Sequence, residues 1–179
     1  MTKEELFEWQ YPIGKFERQA FSESIKAQWL LDIQYLPQHL ENAVLNLDEA
    51  QLNTPYREGG WTVQQLVHHL ADSHINAYTR CKLCLTEDNP TIKPYDEVKW
   101  AELPDVLDLP IHISITLLHA LHRRWHYFLQ ELTAAEWDRT VFHPVNNRSM
   151  SLWDLLGIYA WHSRHHVAHI LHLRESKKW

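Results

Sequence analysis

Cysteine is nearly absent from this 179-residue chain: only Cys81 and Cys84 occur, so no disulfide framework organises the fold. Glycine is scarce, at four residues, and no long stretch alternates apolar with polar side chains, which leaves little material for a β-sheet protein. No run of 18 apolar residues is present, so no membrane-spanning helix is expected. The first residues, Met1-Thr2-Lys3-Glu4-Glu5-Leu6-Phe7-Glu8, are acidic and lack the apolar stretch of a secretory signal, and a cytoplasmic location is expected. Positive charge is in deficit: 17 Lys and Arg face 23 Asp and Glu, a formal net charge of −6. That balance argues against nucleic acid as a partner, because phosphate backbones attract basic surfaces.

What the chain has in excess is histidine, with 14, and tryptophan, with nine. At 45% hydrophobic and 22% charged residues the composition is that of an ordinary globular protein, and the length predicts a single domain over residues 1–179. Four segments carry apolar residues at helical spacing. The first spans about residues 22–47, through Ile25, Trp29, Leu30, Ile33, Leu36, Leu40, Val44 and Leu47. Pro37 is expected to kink or divide it, since proline removes one helical donor and crowds the preceding turn. The second opens at Thr62, which stands at capping-box spacing from Gln65, and runs to about residue 85. The third covers about 111–132. The fourth opens at Ser151, with Asp154 placed to favour a helix N-terminus, and continues to about 175. Residues 53–60 read as a polar loop and 87–110 as a longer, proline-rich one, while 140–149 has the makings of a short hairpin around Asn146-Asn147. Each helical segment has too wide an apolar face to stand alone, and the expected fold is all-α, a four-helix bundle with long loops.

The histidines concentrate on two of these segments: His68, His69 and His74 on the second, and His162, His165, His166, His169 and His172 on the fourth. Imidazole is the commonest protein ligand for transition metals, and a pair at i, i+4 can grip one ion from one side of a helix. A third ligand from a neighbouring helix leaves a coordination position open, as catalytic metal sites require. On a helical wheel Leu152, Leu155, Tyr159, Ile170 and Leu173 mark the apolar stripe of the fourth segment. His162 and His166 fall in its middle, His169 toward one edge, and His165 and His172 further round. The pair His162/His166 is therefore predicted to face the interior, where an unsatisfied polar group costs roughly 1–3 kcal/mol. On the second segment Val63, Leu66, Val67, Leu70, Ala77, Cys81 and Cys84 mark the stripe. His74 lies near its middle, His69 on the flank, and His68 mostly away. Periodicity leaves His69 and His74 both open, with a slight preference for His74.

Other features read as structural. Cys81-x-x-Cys84 falls on the buried stripe and has no second pair to complete a zinc site, so core packing is expected. Asp72, three residues after His69, could orient a ligand, although an exposed helical aspartate is the simpler reading; Tyr159 reads as a core tyrosine. Ser163 follows His162, so there is no His-Glu-x-x-His motif with a built-in general base.

Four stretches carry a family resemblance: Thr54-Pro55-Tyr56-Arg57-Glu58-Gly59-Gly60-Trp61-Thr62-Val63, Val67-His68-His69-Leu70-Ala71-Asp72-Ser73-His74, the loop from Thr86 to Glu97, and Trp161-His162-Ser163-Arg164-His165-His166-Val167-Ala168-His169-Ile170. In this order they resemble the DinB/YfiT-like family of metal-binding four-helix-bundle proteins, most closely its YfiT branch, over almost the whole chain from Tyr11 onward. The resemblance implies a metal site of His69, from a His-Leu pair, with His162 and His166, from His-x-x-x-His. It implies one divalent ion per chain, zinc or nickel, a cytoplasmic homodimer, and a small-molecule substrate, with thiols among the candidates. The implied activity is metal-dependent hydrolysis. Thiol S-transfer to an electrophile and metal binding or sensing without turnover are the alternatives, because fold does not fix chemistry. Three neutral imidazoles would leave an ion its full charge and an open position for activating water or a thiol.

Overall fold

Helices begin in this protein where a side-chain oxygen can accept from backbone N–H groups that have no partner inside the helix. In the computed structural model, which describes residues 2–179, Thr62 and Ser151 each do this, and the side chains of Gln65 and Asp154 return a bond to the cap's own N–H. These caps start two of the four long helices. In chain order the elements are α1 (Lys3–Gln10), α2 (Glu23–Val44), α3 (Glu49–Leu52), α4 (Val63–Thr86), α5 (Glu97–Trp100), α6 (Pro104–Leu107) and α7 (His112–Gln130). A 3-10 turn (Ala134–Asp138), strands β1 (Thr140–His143) and β2 (Arg148–Ser151), and α8 (Leu152–Lys177) follow. The four segments expected from periodicity are α2, α4, α7 and α8, and they pack as a four-helix bundle in which α2 and α4 each contact both α7 and α8. None of the described helices is long and apolar enough to cross a membrane.

One expectation is corrected. Pro37 does not divide the first helix, which runs unbroken from Glu23 to Val44. Because Pro37 has no N–H, it cannot bond the carbonyl four residues back, and that carbonyl belongs to Ile33. The Ile33 oxygen is taken instead by the Nδ1 of His122, from α7.

The loops carry more structure than their composition announced. The stretch 87–110 holds the one-turn helices α5 and α6, and the N-terminal segment forms α1, whose residues rest against α8. The hairpin does form: Val141 pairs with Met150 and His143 with Arg148, across a turn where Asn147 has φ 46°. Just before it, the Arg139 guanidinium donates to the carbonyls of Cys84 (2.7 Å) and Glu87 (2.6 Å), satisfying acceptors that the end of α4 leaves free. At Gly157 of α8 a β-carbon would meet the Trp29 ring at 2.7 Å, so glycine lets α2 and α8 approach closely there.

The core divides in two. One apolar cluster joins Trp29, Ile33, Ala77, Cys81, Trp125, Leu129, Trp153 and Leu156. The other joins Leu36, Leu40, Val63, Leu66, Leu70, Leu118, Ile170 and Leu173. On each long helix the first set lies at one end and the second at the other. Between them, at the bundle's waist, sit His74 of α4, His122 of α7 and His162 and His166 of α8.

Candidate metal centre

The waist brings three histidine nitrogens together from two helices. The Nε2 of His162 lies 3.3 Å from the Nε2 of His69 and 3.1 Å from the Nε2 of His166. His162 and His166 are one turn apart on α8, which puts both rings on the same side, and α4 supplies His69 from across the contact. An ion bound tetrahedrally at a zinc–nitrogen distance of roughly 2.0–2.1 Å would separate its nitrogen ligands by about 3.3–3.4 Å, so the spacing suits a transition-metal ion. His69 and His166 are buried and His162 is partly open. Burial pushes His69 down to about 4 and holds His162 and His166 well below the ordinary histidine range, with neighbouring imidazoles adding to the effect. All three are neutral at pH 7, the protonation state in which imidazole binds metal.

Around these rings the packing is aromatic. Trp61 lies 4.6 Å, centroid to centroid, from His69. It belongs to a tight loop closed by the bond from Tyr56 N to Trp61 O (2.9 Å) and turned at Gly59, where φ is +66°. A β-carbon on Gly60 would meet the Tyr56 ring at 2.8 Å, so this loop needs glycine to hold Tyr56 against His169.

His74, which periodicity slightly preferred, is not among the three converging nitrogens. It lies behind His162, with its Nε2 3.0 Å from the His162 Nδ1. His68, placed by the wheel on the outward side, is buried: its Nε2 faces the Leu109 carbonyl (3.0 Å) and its Nδ1 the Ser114 hydroxyl (2.7 Å), beneath the start of α7. His165 and His169 are buried too. The wheel treated α8 as one-sided, whereas the N-terminal segment covers its second face. Tyr11 packs against His165, Trp161 Nε1 donates to the Gly14 carbonyl (3.0 Å), and His169 Nε2 faces the Gln10 carbonyl (3.2 Å).

His165, His166 and His169 form a second group whose ligand-type atoms lie within 4.8 Å of one another. There the Nδ1 atoms of His166 and His169 face each other at 3.3 Å, and the other nitrogen of His169 is already committed to Gln10. The group therefore reads as hydrogen bonding that backs His166. Asp72 is half-buried, and burial together with nearby Asp105 pushes its carboxyl up to about 6; among the described residues nothing links it to His69. The Tyr159 hydroxyl accepts from Arg80 Nη1 at 3.0 Å, and its ring stands edge-on to His74 and His162. Cys81 and Cys84 are buried and unbridged, their thiols pushed up by burial to about 12 and about 11.

Comparison with known proteins agrees with this architecture. A protein of Oceanobacillus iheyensis named "putative metal-dependent hydrolase" is 51% identical over 170 residues, covering 94% of this chain and 98% of that one. A Bacillus mycoides protein of the same description is 50% identical, covering 94% and 97%. The solved structure of YfiT from Bacillus subtilis, described as a "probable metal-dependent hydrolase with an unusual four-helix bundle topology", matches with a TM-score of 0.93 and 44% identity, over 96% of this chain and 99% of that chain. A sequence model of the DinB superfamily matches residues 33–170, a span that holds all three converging histidines, and the chain belongs to that superfamily, among its YfiT-like members.

Proposed function

We propose that this protein is a metal-dependent hydrolase in which His69, His162 and His166 hold one divalent ion, zinc or nickel. The observation that carries the reading is the approach of two neutral imidazole nitrogens, from His69 and His166, to 3.3 and 3.1 Å of a third, the His162 Nε2, with no carboxylate among them. An ion held by three neutral ligands keeps its charge and supplies Lewis acidity at an open position. The chain does the rest. His162 is half-buried, Trp61 walls the His69 ring, and Tyr56 packs on His169 behind His166. A cleft of about 730 Å³, lined by Trp9, Tyr56, Arg57, Glu58 and Lys177, lies beyond Tyr56 and is of a size for a small molecule. The descriptions of the relatives support hydrolysis. The same donor set would also activate a thiol, so S-transfer is the second reading. Exposed Leu107 at the end of α6, Leu109 in the turn that follows, and Ile113 and Leu117 on α7 support a homodimer.

Elemental analysis tests the centre directly. Untagged protein equilibrated with zinc or nickel is expected to retain one ion per chain, and His162→Ala to weaken binding by more than about 100-fold, beyond the 10–100-fold typical of losing a group that only orients a ligand. His165→Ala is expected to keep the ion. Retention by His162→Ala would overturn the assignment. A screen of the loaded protein against esters and amides, and against thiols with electrophiles, then separates hydrolysis from S-transfer, and absence of turnover in both favours metal binding alone.

A further inference from the structure

Pro37 leaves the Ile33 carbonyl without its helical donor, and His122 Nδ1 fills the vacancy. A carbonyl only accepts, so Nδ1 of His122 carries the proton. A neutral imidazole carries one proton, so Nε2 of His122 is bare and accepts. Its partner at 2.9 Å is His74 Nδ1, which must donate. His74 Nε2 is then bare in turn, and its partner at 3.0 Å is His162 Nδ1, which must donate. The Nε2 of His162 is left with its lone pair free, and it is this atom that lies among the converging nitrogens. His74 and His122 are 0% and 1% exposed, so no solvent reaches them to offer another arrangement.

We propose that His74 and His122 are positioning residues: anchored on the carbonyl that Pro37 frees, they fix His162 in the tautomer that presents a bare Nε2 to the metal. The relay runs through all four long helices, from α2 (Ile33) to α7 (His122), α4 (His74) and α8 (His162). Its polarity is set at one end. A donor at the anchor would reverse every ring and leave a proton on His162 Nε2, where a metal ligand needs a lone pair. A shorter branch has the same sense: His169 Nε2 donates to the Gln10 carbonyl, its bare Nδ1 accepts from His166 Nδ1 at 3.3 Å, and His166 Nε2 is left bare. His69 has no such branch among the described residues and is seated by Trp61. The inference rests on the metal reading for its purpose, though not for its geometry.

Two measurements test it. In metal-free protein labelled with ¹⁵N at histidine, long-range ¹H–¹⁵N spectra are expected to show His122, His74 and His162 all protonated at Nδ1, and His169 at Nε2. His162 protonated at Nε2 would overturn the relay. Zinc affinity, read by competition with a chelator, is expected to fall 10–100-fold in His74→Leu while the helical circular dichroism stays unchanged. Wild-type affinity in a folded His74→Leu would also overturn the proposal. If that variant fails to fold, the spectrum of the unsubstituted protein decides alone. If the unsubstituted protein binds neither zinc nor nickel, the metal reading falls while the spectrum still judges the relay.

Discussion

The two ends of the bundle and its waist are built from the same four helices but by opposite rules. At the ends, side chains such as Leu40, Leu66, Leu118 and Leu156 are fully buried and need only volume and apolar surface, so neighbours of similar size could replace them. At the waist, His74, His122 and His162 are held to one another, and His166 to His169, by directed bonds whose donors and acceptors must alternate. Burial at the ends is favourable in itself, whereas at the waist it is tolerated only because each ring is neutral and partnered. On the proposed reading, the ends supply stability and the middle holds the ion.

The largest effect expected from this contrast is acid unfolding of the metal-free protein. Burial pushes His69, His122 and His169 down to about 4, while an unfolded histidine titrates near 6.5. Between those values the unfolded chain binds more protons than the native one, so stability falls as pH is lowered through that window and is complete only above it. Each such histidine contributes a slope of about 1.4 kcal/mol per pH unit. Three of them together would remove about 4 kcal/mol per unit, or about 10 kcal/mol across the window, so a domain in the lower half of the ordinary range of about 5–15 kcal/mol would unfold before pH 4. Urea titrations at pH 7, 6 and 5 check the slope. A native state that persists unchanged to pH 4 would show that the waist tolerates charge.

Next in size is a pair of substitutions that should separate the two rules. Leu40→Ala, in the aliphatic end, is expected to cost about 2–5 kcal/mol through lost burial and a residual cavity, and to leave the zinc affinity of the folded protein unchanged. His122→Leu removes a partner from the Ile33 carbonyl and from His74, a cost of about 1–3 kcal/mol each, offset by the apolar side chain it buries. It should therefore cost less stability than Leu40→Ala and yet weaken zinc binding. Denaturant unfolding and chelator competition on both variants check the crossing, and parallel losses would erase the distinction.

How far the sequence reaches differs in the same way between the ends and the waist. The four long helices were legible because Leu, Ile, Val and Trp recur at helical spacing and because Thr62 and Ser151 stand at their caps. The inward direction of His162 and His166 was legible from the same period. The choice between His69 and His74 was not: both lie near the buried stripe, and what distinguishes them is which nitrogen meets which ring on another helix. His68 and His165 were misjudged because their cover comes from the start of α7 and from residues 11–14, which no wheel of a single helix contains. Pro37 was visible, but its consequence lay in a carbonyl four residues back and a histidine on α7.

The smallest effect expected concerns the two cysteines, and it tests whether the aromatic end is as inert as its packing implies. Cys81 and Cys84 are 1% and 0% exposed, and burial keeps both thiols protonated far above neutral pH. The thiolate is the form that attacks reagents and binds metal, so neither residue should react in the native protein at pH 8 or alter metal content. Cys81→Ala and Cys84→Ala should each cost about 1 kcal/mol, comparable to one buried methylene, with the zinc stoichiometry unchanged. Mass spectrometry after brief exposure to an alkylating reagent reads the accessibility. Rapid labelling of either thiol in folded protein would mean that this end opens to solvent and that its packing does not keep it closed.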